Sequence, residues 1–433
     1  AAAPGAAAAP GGAVAPGATG GTTVTTSGGA GTAGAATRTT TATKGAAGKA
    51  TIATAAADGG RCVPATKPVV NIGNVGTYSG LLGAIFKQAQ QGLQLWQAYA
   101  NACGGGLDGH QVRVFSQDDG GDPATSLTEI KTQVEEDHVV AFVGNINPLT
   151  IQSTQHYLDE KKIPMIGNDG VDILSVTDPN IFPIVSRTEL LLLGNVKLAV
   201  DRGKKKFAML YCAEVPDVCR NQFLNAYNTK LASAGGEGVM AAPISLAQPS
   251  FTSQCQQAQA KGAESILIVA DGNAIGRLAQ SCHQIGYKPE FLAFSIALLD
   301  STLSFPGLDQ NDLFAAIGTF PWMVDNTAAT QLYHNSIQKY FPSGYPNGAT
   351  ASLAWAAGRV IQTAALGNLG DNVTPASIYK AMYTVKNNNF GGLTQPLTYL
   401  PGKPTNPEKC FFWLTAKAGK FVAPDDAKCV PFK

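Results

Sequence analysis

Between residue 67 and about residue 294, short runs of branched apolar residues alternate with longer stretches whose apolar positions recur every three or four residues. The first run, Val69-Val70-Asn71-Ile72-Gly73-Asn74-Val75, has the length and branching of a buried strand. Residues 84–102 follow, with Ile85, Gln88, Ala89, Gly92, Leu95, Trp96 and Tyr99 on or near one helical face. Further strands are predicted at 111–116, 139–144 and 164–167, with helices at 123–136 and 150–161 between them. Pro123 suits the first turn of its helix. Four such βα units in a row predict a parallel sheet with helices on both faces.

The alternation restarts near Glu189. Helices at 190–201, 221–234, 252–261 and 274–285 lead into strands at 207–211, 239–242, 265–269 and 290–294. The fold class is therefore α/β, with two doubly wound parallel-sheet lobes. Beyond them the pattern predicts a strand at 314–320, helices at 329–340, 350–366 and 375–385, and strands at 411–414 and 419–422. These are expected to cross back and complete both sheets through a multi-strand hinge. The division is 67–187 with 319–390 for the first lobe and 188–318 with 391–433 for the second. Ligands of such folds bind in the cleft outside the carboxyl ends of the strands.

Residues 1–58 are Ala, Gly, Thr and Pro with almost no charge, and nothing larger than Val precedes Ile52 among the apolar side chains. That segment buries too little surface to offset its ordering entropy, so a disordered tether is expected. It lacks the basic start and apolar core of a signal peptide, which is expected to be absent from this chain. Ala1 is not a lipid-anchor cysteine, so anchoring is not assigned. No apolar stretch reaches the ~18 residues of a membrane span.

Charge adds an exclusion: 31 basic and 30 acidic residues, with Lys204-Lys205-Lys206 as the longest basic run, argue against a nucleic-acid partner. Cysteines add a compartment. Pairing each with its neighbour gives Cys62 with Cys103, Cys212 with Cys219, Cys255 with Cys282 and Cys410 with Cys429, in an oxidising, extracytoplasmic setting. Eight cysteines allow roughly a hundred connectivities, of which this is one. Metal binding competes, but there is no Cys-x-x-Cys and no histidine near two cysteines at ligand spacing.

Catalytic motifs do not emerge. In Gly76-Thr77-Tyr78-Ser79-Gly80 the serine stands one position late for a nucleophile elbow. Residues 45–51 are too short for a phosphate loop. Asp118-Asp119-Gly120-Gly121-Asp122 lacks the alternating oxygen ligands of a calcium loop. Histidines 110, 138, 156, 283 and 334 are scattered without partners. No catalysis, cofactor or metal is expected. What recurs is a polar or Gly-bearing loop after a strand: 77–80, 145–148, 168–171, 212–214, 271–273 and Ser295. Such loops make turns, and their backbone amides can also hold a polar ligand group.

Several segments, in this order, resemble the type I periplasmic-binding proteins, specifically the branched-chain amino-acid (Leu/Ile/Val) receptors of ABC transporters. They are Gly76 to Gly80 followed by Gly83, Asp118 to Pro123, Phe142-Val143-Gly144 with Pro164-Met165-Ile166, and His283-Gln284-Ile285-Gly286-Tyr287. The resemblance runs from Lys67 to the C-terminus. It implies that Ser79, the Asn145–Pro148 loop (with Asn147) and the Asp169-Gly170-Val171 loop face a small-molecule ligand from the first lobe. It implies that Tyr211, Glu214, Asp271 and Ser295 face it from the second. Tyr78, Phe86, Phe320 and Trp322 are candidates for an aromatic half of the pocket, with core packing as their competing reading.

One departure matters. The amino-acid receptors hold the α-carboxylate with a Ser or Thr pair and the ammonium with Glu or Asp. In an ungapped reading Pro148 and Val171 stand at the carboxylate positions and Ser295 at the ammonium position. An unpaired buried ammonium is costly, which argues against a standard α-amino acid unless Asp271, Asp169 or Glu214 substitutes. The resemblance thus implies a monomeric extracytoplasmic receptor that delivers an amino-acid-like, amide, aromatic or carboxylic compound to permease subunits. A sensor signalling to a membrane partner is the alternative, and an enzyme of amide or nucleotide chemistry the third reading.

Overall fold

Strands β1 (Lys67–Gly76), β2 (His110–Asp118), β3 (Phe142–Asn145), β4 (Met165–Asn168) and β5 (Ile181–Phe182) form an all-parallel sheet in the order β2-β1-β3-β4-β5. The computed structural model describes residues 62–305, 308, 313–345 and 347–432. The tether expected at 1–58 lies outside them. β3 and β4 are buried at every position, as strands covered on both faces must be. The helices Gln88–Ala102 and Ala349–Ala365 pack on each other against this sheet. The second is apolar nearly all round and almost wholly buried. The two backbones approach so closely that a Cβ on Gly92 would collide with the Ala351 carbonyl.

The second sheet repeats the order. β6 (Lys206–Cys212), β7 (Glu237–Ile244), β8 (Ser265–Val269), β9 (Glu290–Ala293) and β10 (Leu313–Ile317) lie as β7-β6-β8-β9-β10, all parallel. β11 (Cys410–Lys417) then adds antiparallel to β10, and β12 (Lys420–Val422) and β13 (Val430–Pro431) pair with β11. Two doubly wound parallel-sheet lobes are thus present, as the sequence pattern predicts.

Three expectations need correction. The late strands do not complete both sheets: β10 to β13 all join the second, and only helices return to the first. The missing fifth strand of the first sheet is Ile181–Phe182, two residues long and without periodicity. The helix expected at 84–102 starts at Gly80 and breaks at Lys87. The helix expected at 221–234 is a π-turn (Cys219–Leu224), one α-helical stretch (Asn225–Lys230) and a 3₁₀ turn (Leu231–Ala234). The four nearest-neighbour disulfides all form. No helix among the described residues is long and apolar enough to cross a membrane.

The chain crosses between the sheets at 183–188, 318–321 and 393–409. Gln395, fully buried, binds two of these crossings together. Its Nε2 donates to Ser186 Oγ at 2.7 Å, and its Oε1 accepts the Lys409 N–H at 2.9 Å. Phe320 N donates to Leu393 O at 3.0 Å, and the Tyr399 hydroxyl to Pro183 O at 2.9 Å. A Gln395→Leu variant keeps the volume and leaves the Lys409 amide without a partner. It should lose on the order of 2 kcal/mol in urea unfolding. A loss below about 0.5 kcal/mol, within the range of an ordinary surface substitution, would show that the clamp is dispensable.

Candidate ligand-binding cleft

In the repeated strand order, chain direction switches between β1 and β3 in the first sheet and between β6 and β8 in the second. Crevices open at such switch points, outside the carboxyl ends. Loops leaving both sets of strands line one cavity of about 50 Å³. The first lobe contributes Leu82, Ile85, Phe86, Pro148 and Val171. The second contributes Val215, Val218 and the Cys212–Cys219 disulfide, then Leu246, the stretch Val269-Ala270-Asp271, and Phe294, Ile296 and Ala297. Asp271 is the one ionisable side chain in this wall.

Beside it, toward the crossings, lies a cavity of about 20 Å³ lined by Asp169, Thr188, Ser295 and Thr319 among apolar residues, with Ile296 common to both. That volume suffices for about one water-sized group. A third space of about 210 Å³ opens on the other side and shares Ile85, Leu246, Asp271 and Ala297 with the first.

The acidic side chains around these cavities hold backbone amides. Asp169 Oδ1 accepts the Val171 N–H at 2.8 Å and Oδ2 the Asn147 N–H at 3.0 Å. Burial pushes its carboxyl up to about 7, against the pull of those two amides. Asp271 Oδ1 accepts from Asn273 N and Ala274 N and so caps the helix Gly272–Gln284. Glu214 Oε1 accepts from Ser245 Oγ at 2.7 Å and Leu246 N at 2.8 Å, tying the loop after β6 to the loop after β7. Asp118 takes the amides of Tyr78, Ser79 and Gly120. Partial burial opposes its ionisation, yet these bonds hold it below the usual carboxylate range.

Six of the residues expected to face a ligand thus stand on cavity walls: Phe86, Pro148, Val171 and Asp271 on the main cavity, Asp169 and Ser295 on the smaller one. The others lie elsewhere. Tyr78 turns back into the first lobe, where its hydroxyl donates to Asn74 Oδ1 at 2.8 Å and burial raises its pKa. Ser79 is exposed ahead of the helix Gly80–Phe86. Asn145 Oδ1 sits against the Val75 amide inside the sheet. Asn147 supplies its backbone N–H to Asp169, while its buried side chain has no partner. Gly170, at φ 70°, accepts from Thr188 N at 3.1 Å, and a Cβ there would stand 2.9 Å from Ser186 O. Tyr211 is buried within β6. Trp322 donates to Asp300 Oδ1 at 2.8 Å and packs edge-on to Phe421. Phe320 packs edge-on to Tyr333, the core reading of that residue.

Most of the wall was not foreseen: Val215, Val218, Leu246, Phe294, Ile296 and Ala297 are apolar residues in loops after strands. Glu214, Asp217, Ser245, Gln248 and Ser295 stand among them, so no local pattern marks them.

A sequence model of a family described as periplasmic binding protein matches residues 69–420. No curated protein matches the chain. Solved structures of the same fold include a fatty acid ABC transporter substrate-binding protein from Thermomonospora curvata, at 17% identity and TM-score 0.70, covering 85% of this chain and 94% of that one. An ABC transporter solute-binding protein from R. palustris in complex with benzoate is 16% identical with TM-score 0.67, over 84% and 98% of the two chains. A leucine binding protein from Thermotoga maritima is 16% identical with TM-score 0.66, over 82% and 99%.

Asp169 makes the cleft's stability depend on pH. Its carboxyl titrates near 7 when folded and at the ordinary 3.8 when unfolded. Between those values the folded protein holds a proton that the unfolded chain has released, so stability falls as pH rises, by up to about 4 kcal/mol. Asp169→Asn should flatten that part of the profile in urea unfolding measured from pH 4 to pH 7.5. Parallel profiles for the two proteins would mean that Asp169 ionises normally in the fold.

Proposed function

Given that the chain belongs to the periplasmic binding protein family, we propose that it is the extracytoplasmic receptor of an ABC importer. Its ligand is a small, mostly apolar organic molecule without an ammonium group. The apolar wall of the interlobe cavity, in which Asp271 is the sole ionisable group and caps a helix, carries this reading.

Ligand pockets bury most of their ligand, so the chemistry of the wall mirrors the chemistry of the ligand. Phe86, Phe294, the valines and the disulfide sulfurs offer dispersion contact and no charge. An α-amino acid would bring an ammonium that needs a free carboxylate. Asp169 and Glu214 do not line the main cavity, and Asp271, which does, already shares its charge with two backbone amides at a helix N-terminus, so an ammonium there would be weakly paired. A weakly paired buried charge costs up to several kcal/mol. The apolar cleft fits the fatty acid and benzoate receptors of the same fold better than the leucine receptor. Four disulfides suit a protein working outside the cytoplasm. The receptor acts by closing its lobes on the ligand, without chemical conversion, and presenting the closed form to permease subunits.

A thermal-unfolding panel of leucine, valine, phenylalanine, benzoate and short-chain fatty acids tests this. A ligand at a hundredfold its Kd should add about 2.7 kcal/mol. Apolar acids should raise Tm and the amino acids should not. A leucine or valine shift larger than that of every acid would overturn the reading.

A further inference from the structure

The main cavity, at about 50 Å³, is smaller than the space any whole ligand of this class needs. An apolar cavity of about 150 Å³ is what accommodates benzene. The space toward the crossings adds room for one water-sized group. The third space, about 210 Å³ and adjoining the main cavity at Ile85, Leu246, Asp271 and Ala297, has room for the remainder of a molecule. Its wall is of a different kind: Asn273, Arg277, Ser301 and Thr302 stand in it. A ligand filling both spaces has an apolar end in the main cavity and a polar end in the third space.

Arg277 identifies that polar end. Its Nε–H donates to Gln248 O at 2.9 Å and its Nη2 to Leu246 O at 2.6 Å. The Phe251 ring lies 6.0 Å from the guanidinium carbon, and the two carbonyl bonds hold the fork in place. These bonds leave one hydrogen on Nη2 and the whole of Nη1 without a protein partner among the described residues, where Arg277 also forms no ion pair. The acidic residue sharing this space, Asp271, has its charge offset by the N-terminus of the helix it caps. A planar fork held rigidly with one edge open matches a carboxylate, which it takes through two parallel charge-assisted bonds.

We infer that Arg277 is the ligand's anion anchor. The receptor takes a monocarboxylic acid whose hydrocarbon end enters the main cavity and whose carboxylate lies in the third space against Nη1 and Nη2 of Arg277. This rests on the receptor reading above and adds the orientation and charge of the ligand.

Titration calorimetry with straight-chain monocarboxylates from butanoate to octanoate, each paired with its primary amide, tests the assignment. The wild type should bind each acid at least about tenfold more tightly than its amide. Arg277→Gln should weaken the acids about tenfold to a hundredfold more than it weakens the amides and so abolish the preference. Arg277→Lys keeps the charge without the fork and should retain part of it. The amides report on whether either variant has lost the Leu246 loop rather than the anchor. A preference for acids that survives in Arg277→Gln, or a wild type that binds acid and amide alike, would overturn the anchor and leave the receptor reading standing. If the wild type binds neither series, the receptor for apolar acids falls and the anchor with it.

Discussion

An acidic side chain accepting backbone N–H groups at the end of a strand is the interaction on which the cleft depends. Asp118, Asp119, Asp169, Asp172, Glu214 and Asp271 each hold at least one such amide in the loops leaving the sheets. These loops are partly buried between two lobes, where an unpaired amide costs about 1–3 kcal/mol. The consequence for binding is direct. Carboxylates that hold the loops in shape already share part of their charge with backbone amides, and the remaining wall of the main cavity is hydrocarbon, aromatic ring and sulfur.

The same economy governs how the lobes are joined. Each sheet covers its faces with helices and leaves only its carboxyl edge for the partner lobe, which places both switch-point crevices on the shared cleft. Three crossing segments lie beside that cleft, bound to one another through Gln395, Phe320 and Tyr399. Gly170 couples the two systems. Its carbonyl accepts from Thr188, the first residue of the helix Thr188–Asp201 in the second lobe, while its neighbour Asp169 anchors the crest loop of the first. A change in the angle between the lobes is therefore felt at a residue on the cavity wall, which is what a closing receptor requires.

The sequence made the lobes legible because parallel strands buried on both faces are unbroken apolar runs. Phe207 to Tyr211 and Ser265 to Val269 stand out for that reason. Ile181–Phe182 did not, since two residues carry no period, and its absence led the late strands to be shared between two sheets when all belong to one. Of the loops singled out by family resemblance, two bring Pro148 and Val171 to the wall of the main cavity. Side-chain direction was the hidden part. Tyr78 and Trp322 have large rings and one polar atom, and each finds a buried partner, Asn74 and Asp300, away from the cleft. Val215, Val218 and Ile296 look like core residues in any local window. Only the meeting of two lobes makes them a wall.

An apolar wall sets a limit on selectivity. One methylene more or less changes binding by about 1–3 kcal/mol in a hydrophobic pocket, far less than a site built around obligatory hydrogen bonds can achieve. That limit rises if the wall is rigid, because a wall that yields accommodates the larger ligand at little cost. Here the second-lobe wall is an eight-residue loop closed covalently by Cys212–Cys219, with both cysteines and both Val215 and Val218 facing the cavity. Its far side is tied by Glu214 to the Leu246 loop, whose carbonyl in turn holds Arg277. The apolar wall at Val215 and Val218 is thus mechanically continuous with Arg277. On the proposed assignment, selection by size and selection by charge fall to one connected piece of the second lobe.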